Sequence, residues 1–392
     1  MITDPVRKLF VLVFVLSIGL GYSRGWATLL ARNAGIDLVY IGLMETVAIA
    51  VALGLRYPIG ILIDHLGAKP FILGGCMLSG VACILYLARI GPSSFLAGSA
   101  IENISLLIIH ISLFSAALTL VREHQKGLFF SRYNIADQSG GVILPLVAGF
   151  LAACFSLELL FIIDLIASFI LLILFALLFP TSKQKINKSL KFTLSKFFDF
   201  REAQKHILVL LVSIEILLGA ATGLFSPYLA VYAHEYLGME YSGVGTVFSL
   251  SLIAFIFGSY KLGRKIDAWG PLKSWIISSI AYSLLLIGLG FCKSIWVFII
   301  TYCLTQVAQS VQIPAYQSIL PFILPGGREG QIAGLAGNAM KISTLLVTPL
   351  GAVVWKQFGA SLIFVLAGVL MFLSTVPCWL FLRYGSEGEL IR

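Results

Sequence analysis

The chain is built around stretches of about twenty residues that hold almost nothing but apolar side chains. An α-helix rises ~1.5 Å per residue, so each stretch can cross the ~30 Å hydrocarbon layer of a bilayer. Twelve can be placed, at about 9–31, 38–63, 70–90, 94–121, 134–155, 158–180, 206–232, 241–264, 272–292, 295–320, 331–356 and 360–383. A water-soluble core could not hide so much apolar surface, because 59% of the 392 residues are hydrophobic and only 11% are charged. Only helices and closed barrels satisfy their backbone polar groups in lipid. The expected fold class is therefore an all-α integral membrane protein with twelve transmembrane helices. The first stretch is too long for the apolar core of a cleaved leader and is expected to remain as a span.

Basic residues concentrate in cytoplasmic loops, so their placement tests both the span count and the orientation. With a cytoplasmic N-terminus, twenty of the 27 Lys and Arg fall on the inner side and four (Arg32, Arg89, Lys293, Lys356) on the outer side. Arg24, Arg56 and Lys341 lie inside spans. Both termini are thus expected in the cytoplasm, with the protein in the cell (inner) membrane. The net charge of +9 then reflects topology and contact with lipid rather than nucleic acid.

One long polar connection, residues 181–205, separates two groups of six spans. The expected domains are a six-helix bundle at 1–180, this basic linker, and a second six-helix bundle at 206–392. Ile186, Leu190, Leu194 and Phe197 recur at helical spacing in the linker, so it reads as an amphipathic helix on the lipid interface or else as a flexible tether. The two groups also repeat. An offset of 203 places Tyr57, Gly60, Ile63, Asp64 and Gly67 on Tyr260, Gly263, Ile266, Asp267 and Gly270. One inserted residue near Pro271 makes the offset 204, which places Lys69 on Lys273, Asn134 on Asn338 and Pro145 on Pro349. An ordered series of this kind indicates an internal duplication.

The phrase G-x-x-x-D-x-x-G-x-K at Gly60, Asp64, Gly67 and Lys69 follows the second span. It returns less completely at Gly263, Asp267, Gly270 and Lys273 after the eighth. With twelve spans and a basic central loop, the chain resembles the major facilitator superfamily, although His65 stands where that family usually has Arg. The resemblance implies two pseudo-symmetric six-helix bundles, each of inverted three-helix repeats, rocking about a midplane site. It also implies that the loop residues form a conformational latch, tight in the outward-facing state. The chemistry suits this role. The glycines allow a tight turn, and Asp64 can accept bonds from a helix N-terminus or a basic group. The bland alternative is a solvated loop.

Transport chemistry belongs with ionisable residues inside spans, where a charge costs about 2.5–3.5 kcal/mol on insertion scales. Arg24 lies between Tyr22 and Trp26 in span one, with Glu102 of span four or Glu45 of span two as its expected partner. Glu102, Asp137 and Glu215 are the candidates for proton coupling. Asp137 and Lys341 are related by the 204 offset, and each could instead snorkel to the interface. Gln306, Gln309, Gln312 and Tyr316 give span ten a polar side. The cavity candidates are Tyr22, Arg24, Trp26, Glu45, Gln306, Gln309, Tyr316, Asn338 and Lys341. His110 reads as a hydrogen-bonded interior residue and Asp164 as an interhelical contact. Span five carries Gly141, Pro145 and Gly149, part of a Gly-Pro pattern found in exporters of the family.

The six cysteines lie in apolar segments without metal-like spacing, and no nucleotide or hydrolase motif appears, so no cofactor, metal or enzymatic activity is expected. The expected function is secondary active transport by alternating access, namely export of a small organic or amphiphilic compound driven by protons, by a monomer. Uptake or facilitated diffusion of a small polar solute is the alternative. A membrane sensor without transport is a third reading.

Overall fold

The computed structural model describes residues 5–20, 23, 25–120, 126–179, 202–323, 329–377 and 379. Among the described residues every regular element is helical. The order is α1 (Pro5–Gly19), α2 (Ala27–Asn33), α3 (Leu38–Leu66), α4 (Ala68–Ala88), α5 (Pro92–Leu120), α6 (Lys126–Cys154) and α7 (Leu157–Leu178). The second series runs α8 (Glu202–Phe225), a 3-10 turn at Ser226–Tyr228, α9 (Leu229–Val231), a π-turn at Tyr232–Tyr236, α10 (Tyr241–Trp269), α11 (Pro271–Gly290), α12 (Ile295–Ile323), α13 (Glu329–Phe358) and α14 (Ala360–Leu373). Among the described residues ten helices are long and apolar enough to span a membrane, and Gly140–Cys154 of α6 is a shorter apolar stretch. The expected linker at 181–205 lies almost wholly outside the described residues.

The helices are inside-out relative to those of a water-soluble protein. In α7 the buried positions are Leu157, Leu160, Phe161, Asp164, Ser168, Leu171 and Phe175. Ile162, Ile166, Phe169, Ile173 and Leu177 face outward instead. Lipid accepts those apolar side chains, so the interior is where polar groups collect and must pair. Ser105 Oγ donates to the Gly75 carbonyl at 2.8 Å, and Ser283 Oγ to that of Gly368 at 2.7 Å.

Span one departs from the uninterrupted helix expected at 9–31. It stops at Gly19 and resumes at Ala27, with Gly25 at φ +84° between them. Glycine reaches this left-handed conformation without the steric penalty that other residues meet. Within lipid a broken helix must find partners for its freed backbone groups, and the break becomes part of the site described below.

The duplication is visible in the backbone. Helices α3 and α10 each have 29 residues and begin 203 residues apart, at Leu38 and Tyr241. They end at Gly67 and Gly270, whose φ values of 84° and 83° turn the chain into the next helix in the same way. Packing repeats as well: α1 against α6 matches α8 against α13, α4 against α5 matches α11 against α12, and α4 against α7 matches α11 against α14. The chain divides into two compact units, Met1–Lys188 with Ala233–Ser249, and Ser189–Tyr232 with Leu250–Arg392. The first unit therefore includes 17 residues that the sequence repeat assigns to the second half.

Candidate functional site

The break in span one is held by Asp164, which projects from the buried side of α7. Its Oδ2 accepts the Ser23 backbone N–H at 2.8 Å and also a hydrogen bond from the Ser23 hydroxyl. Ser23 and Asp164 are 5% and 3% exposed, so the carboxylate satisfies a backbone donor that the missing helical turn would otherwise leave unpaired. On the other side of the same space, Tyr86 of α4 donates to Glu102 of α5 at 2.8 Å. Tyr86 is wedged between Phe95 and Phe161, at ring-centroid distances of 6.0 and 5.3 Å. Together with Leu20, Ser79, Ala82, Cys83 and Leu106, these groups enclose a cavity of about 20 Å³, room for about one water molecule. Two carboxylates, a phenol and serine hydroxyls around a water-sized space can hold and pass a proton.

Of the residues singled out from sequence, Glu102 lines this cavity. Asp164 does so too, and its contact with Ser23 is the interhelical role expected of it. Trp26 is buried and packs edge-on to Tyr241, with ring centroids 6.2 Å apart. Tyr22 and Arg24 lie outside the described residues, and Glu45 is exposed on α3.

A second acidic group of the first unit is Asp137 on α6. His110 Nδ1 of α5 lies 3.7 Å from its carboxylate, and the two side chains are 40% and 16% exposed. Sequence reading took this imidazole as a hydrogen-bonded interior residue without naming its partner. The signal that could have joined the two is that spans four and five are consecutive and antiparallel, which brings residues on either side of their connection to similar depths. The relation of Asp137 to Lys341 stays formal, because Lys341 and Asn338 are both exposed on α13.

In the second unit Glu215 is 6% exposed on α8 and lies close to the hydroxyl of Tyr316 on α12. Tyr316 in turn lies 6.5 Å from the ring of Trp275 on α11. Trp275 is 1% exposed, and its indole N–H has no acceptor among the described residues. Sequence reading did not single out Trp275. Gln312 Nε2 donates to Ser279 Oγ at 2.8 Å, while Gln306 and Gln309 are half-buried on the same helix. Three helices thus bring an acid, a phenol and an unmatched donor into one part of the second unit.

The loop residues are placed as follows. Gly60 is half-buried near the end of α3, and Gly67 is the buried turn residue after it. The Lys69 ammonium donates to the Phe179 carbonyl at 2.9 Å. Phe179 is the C-cap of α7, so Lys69 places a cation at the negative end of that helix. The side chains of Asp64 and Asp267, and the surroundings of Gly263, lie outside the described residues. Gly270 is the matching turn residue, and Lys273 is exposed.

Comparisons with known proteins agree with this architecture. The chain is 24% identical over 339 residues to the multidrug resistance protein MdtG of Salmonella typhimurium, covering 83% of this chain and 80% of that protein. It is 26% identical over 347 residues to the Salmonella paratyphi C protein of the same name, with the same coverage. Among solved structures, a bacterial homologue of the iron transporter ferroportin in the inward-facing state aligns with a TM-score of 0.78 at 15% identity. That alignment covers 99% of this chain and 100% of the other. The nucleoside transporter NupG aligns with a TM-score of 0.75 at 15% identity, over 97% and 99%. The family model of the Major Facilitator Superfamily matches residues 9–214 and 211–391. With repeated six-helix packing, a broken first span and a family match over nearly its whole length, the chain belongs to the Major Facilitator Superfamily of membrane transporters.

Proposed function

We propose that this transporter exports a small organic or amphiphilic compound in exchange for protons, working as a monomer in the inner membrane with both termini in the cytoplasm. The observation that carries the coupling is the water-sized cavity lined by Glu102 and Asp164 beside the break in span one. Lipid makes such acids expensive, and a carboxyl group that alternates between protonated and charged states can trade a proton for a change of partner. Asp137 beside His110, and Glu215 beside Tyr316, offer the same chemistry in the two units. Export as the direction draws support from the multidrug resistance proteins that match 83% of the chain.

The latch role proposed for Gly60, Asp64, Gly67 and Lys69 is narrowed by the bond from Lys69 to Phe179. That lysine serves the end of α7, which leaves Asp64 as the member suited to reversible contacts. Gly263, Asp267, Gly270 and Lys273 form the counterpart in the second unit. Arg24, Glu45, Gln306 and Gln309 remain proposed cavity residues.

The test is flux of fluorescent amphiphilic dyes in proteoliposomes under an imposed pH gradient. Dye movement should follow the gradient and be lost in Glu102→Gln and Glu215→Gln, with Asp137→Asn slowed. Flux indifferent to the gradient and to all three substitutions would remove proton coupling.

A further inference from the structure

The second half of α10 carries one continuous outward face. Ile253, Ile256, Phe257 and Tyr260 are each at least half exposed, Tyr260 reaching 77%, and Lys261 is exposed after them. Their spacing of three and four residues keeps them on one side of the helix. Large apolar side chains left in the open mark a surface that lipid covers. Along this face the chemistry passes from aliphatic to aromatic to basic, the order met on leaving hydrocarbon for the headgroup layer. The apolar stretch Tyr241–Leu262 has 22 residues, about 33 Å of helix at ~1.5 Å per residue, so Lys261 stands at its inner edge. Trp269, itself half exposed, ends the helix about two turns further on.

Two observations set this end of α10 apart from an ordinary basic loop. The first is the pose of Lys261. Side chains on a helix lean toward its N-terminus, and the Lys261 ammonium lies 5.9 Å from the centroid of the Phe257 ring, one turn back. The ring face attracts the cation and keeps it at the edge of the apolar layer instead of extended into water. The anionic group that a bilayer offers at that depth is a lipid phosphate. The second observation comes from the duplication. Residues 261–273 hold Lys261, Arg264, Lys265 and Lys273 against one acid, Asp267. Their counterparts at 58–69 hold Lys69 against Asp64, with His65 between them. The offset of 203 sets Lys261, Arg264 and Lys265 on Pro58, Ile61 and Leu62, and Ile61 and Leu62 are exposed on α3. Equivalent helices ending on the same side thus differ by three cations, so topology alone does not call for them.

We propose that the inner end of α10 is a binding site for one anionic phospholipid. Lys261 takes the headgroup phosphate, Arg264 and Lys265 add positive charge one turn further along the helix, and an acyl chain lies along Ile253, Ile256 and Phe257. Tyr260 stands between the two regions, where an aromatic ring with a polar tip suits the lipid ester level. The site selects by headgroup charge. Phosphatidylglycerol brings an uncompensated phosphate, whereas the choline of phosphatidylcholine cancels its own. The proposal rests on the orientation given above, which puts this end in the cytoplasmic leaflet, and on nothing about the substrate or the direction of transport.

Native mass spectrometry of the full-length protein, released from vesicles of equimolar phosphatidylglycerol and phosphatidylcholine, counts the lipids that stay bound. The parent should retain phosphatidylglycerol in preference. Lys261→Gln should lower that preference about three- to fivefold, and Lys261→Gln combined with Arg264→Gln and Lys265→Gln should abolish it. Lys261→Arg keeps the charge and should keep the preference. Phe257→Leu alters no charge yet removes the ring under Lys261, and should lower the preference roughly twofold, which a diffuse surface potential would not produce. Each variant is first checked for a single gel-filtration peak. A triple variant that retains phosphatidylglycerol like the parent would overturn the site. So would a loss no larger than that of Lys293→Gln on the outer side, or release of the bound lipid by inorganic phosphate. The measurement reads no flux, so its failure leaves the export reading untouched, and a failed flux assay leaves the lipid site untouched.

Discussion

Replacing Asp164 should separate its structural role at the break in span one from its charge. In Asp164→Ala the backbone N–H and the hydroxyl of Ser23 both lose the carboxylate oxygen they share, in a place only 3–5% exposed. Interhelical hydrogen bonds in membranes average only about 0.6 kcal/mol, with a maximum near 1.7. A charged acceptor is worth more, about 1.5–3 kcal/mol, and a stranded buried donor costs about 1–3. The two effects describe the same loss, so the expected destabilisation is about 2–3 kcal/mol rather than their sum. Asp164→Asn keeps an oxygen for the Ser23 N–H and should cost about 1 kcal/mol. Ser23→Ala removes only the hydroxyl bond and should fall in the same range. Denaturant unfolding in detergent micelles measures all three, and a cycle combining Ser23→Ala with Asp164→Asn isolates the pair. If Asp164→Ala unfolds within about 0.5 kcal/mol of the parent, the carboxylate is not what holds the break, and the account of span one fails.

Two further outcomes test the packing and the cap. Gly219→Ala would set a Cβ 2.2 Å from the Met340 carbonyl oxygen, so α8 and α13 must separate, at a cost of about 1–3 kcal/mol in the same unfolding assay. Lys69→Met removes the cation at the end of α7 while keeping the apolar stem, and should cost about 0.3–1 kcal/mol, read as faster proteolysis near Phe179.

The helices were legible because lipid imposes one requirement on every span: about twenty apolar residues with their backbone bonds made internally. The repeat was legible because the turn after span two needs a residue that tolerates positive φ, and Gly67 and Gly270 mark the same turn twice. The interruption of span one was not, because Gly19 and Gly25 are tolerated in ordinary transmembrane helices. What makes a break affordable there is Asp164, more than 130 residues away on α7, and nothing in the apolar pattern links it to Ser23. His110 and Asp137 were each visible as polar interruptions, yet only helix packing brought them to 3.7 Å. Trp275 looked like one more apolar residue until its indole N–H was buried beside Tyr316.

Sequence by itself determined the solvent, the helical class, the duplication and the family, since each is written in local composition or in a short motif at fixed spacing. Tertiary structure alone decided which acids share a cavity and that residues 233–249 belong with the first unit rather than with the half in which they are encoded. It also turned Lys69 to the end of α7. The physical reason is the same in each case. A polar group inside a membrane protein must take a partner, and helix packing between distant parts of the chain settles which partner is within reach.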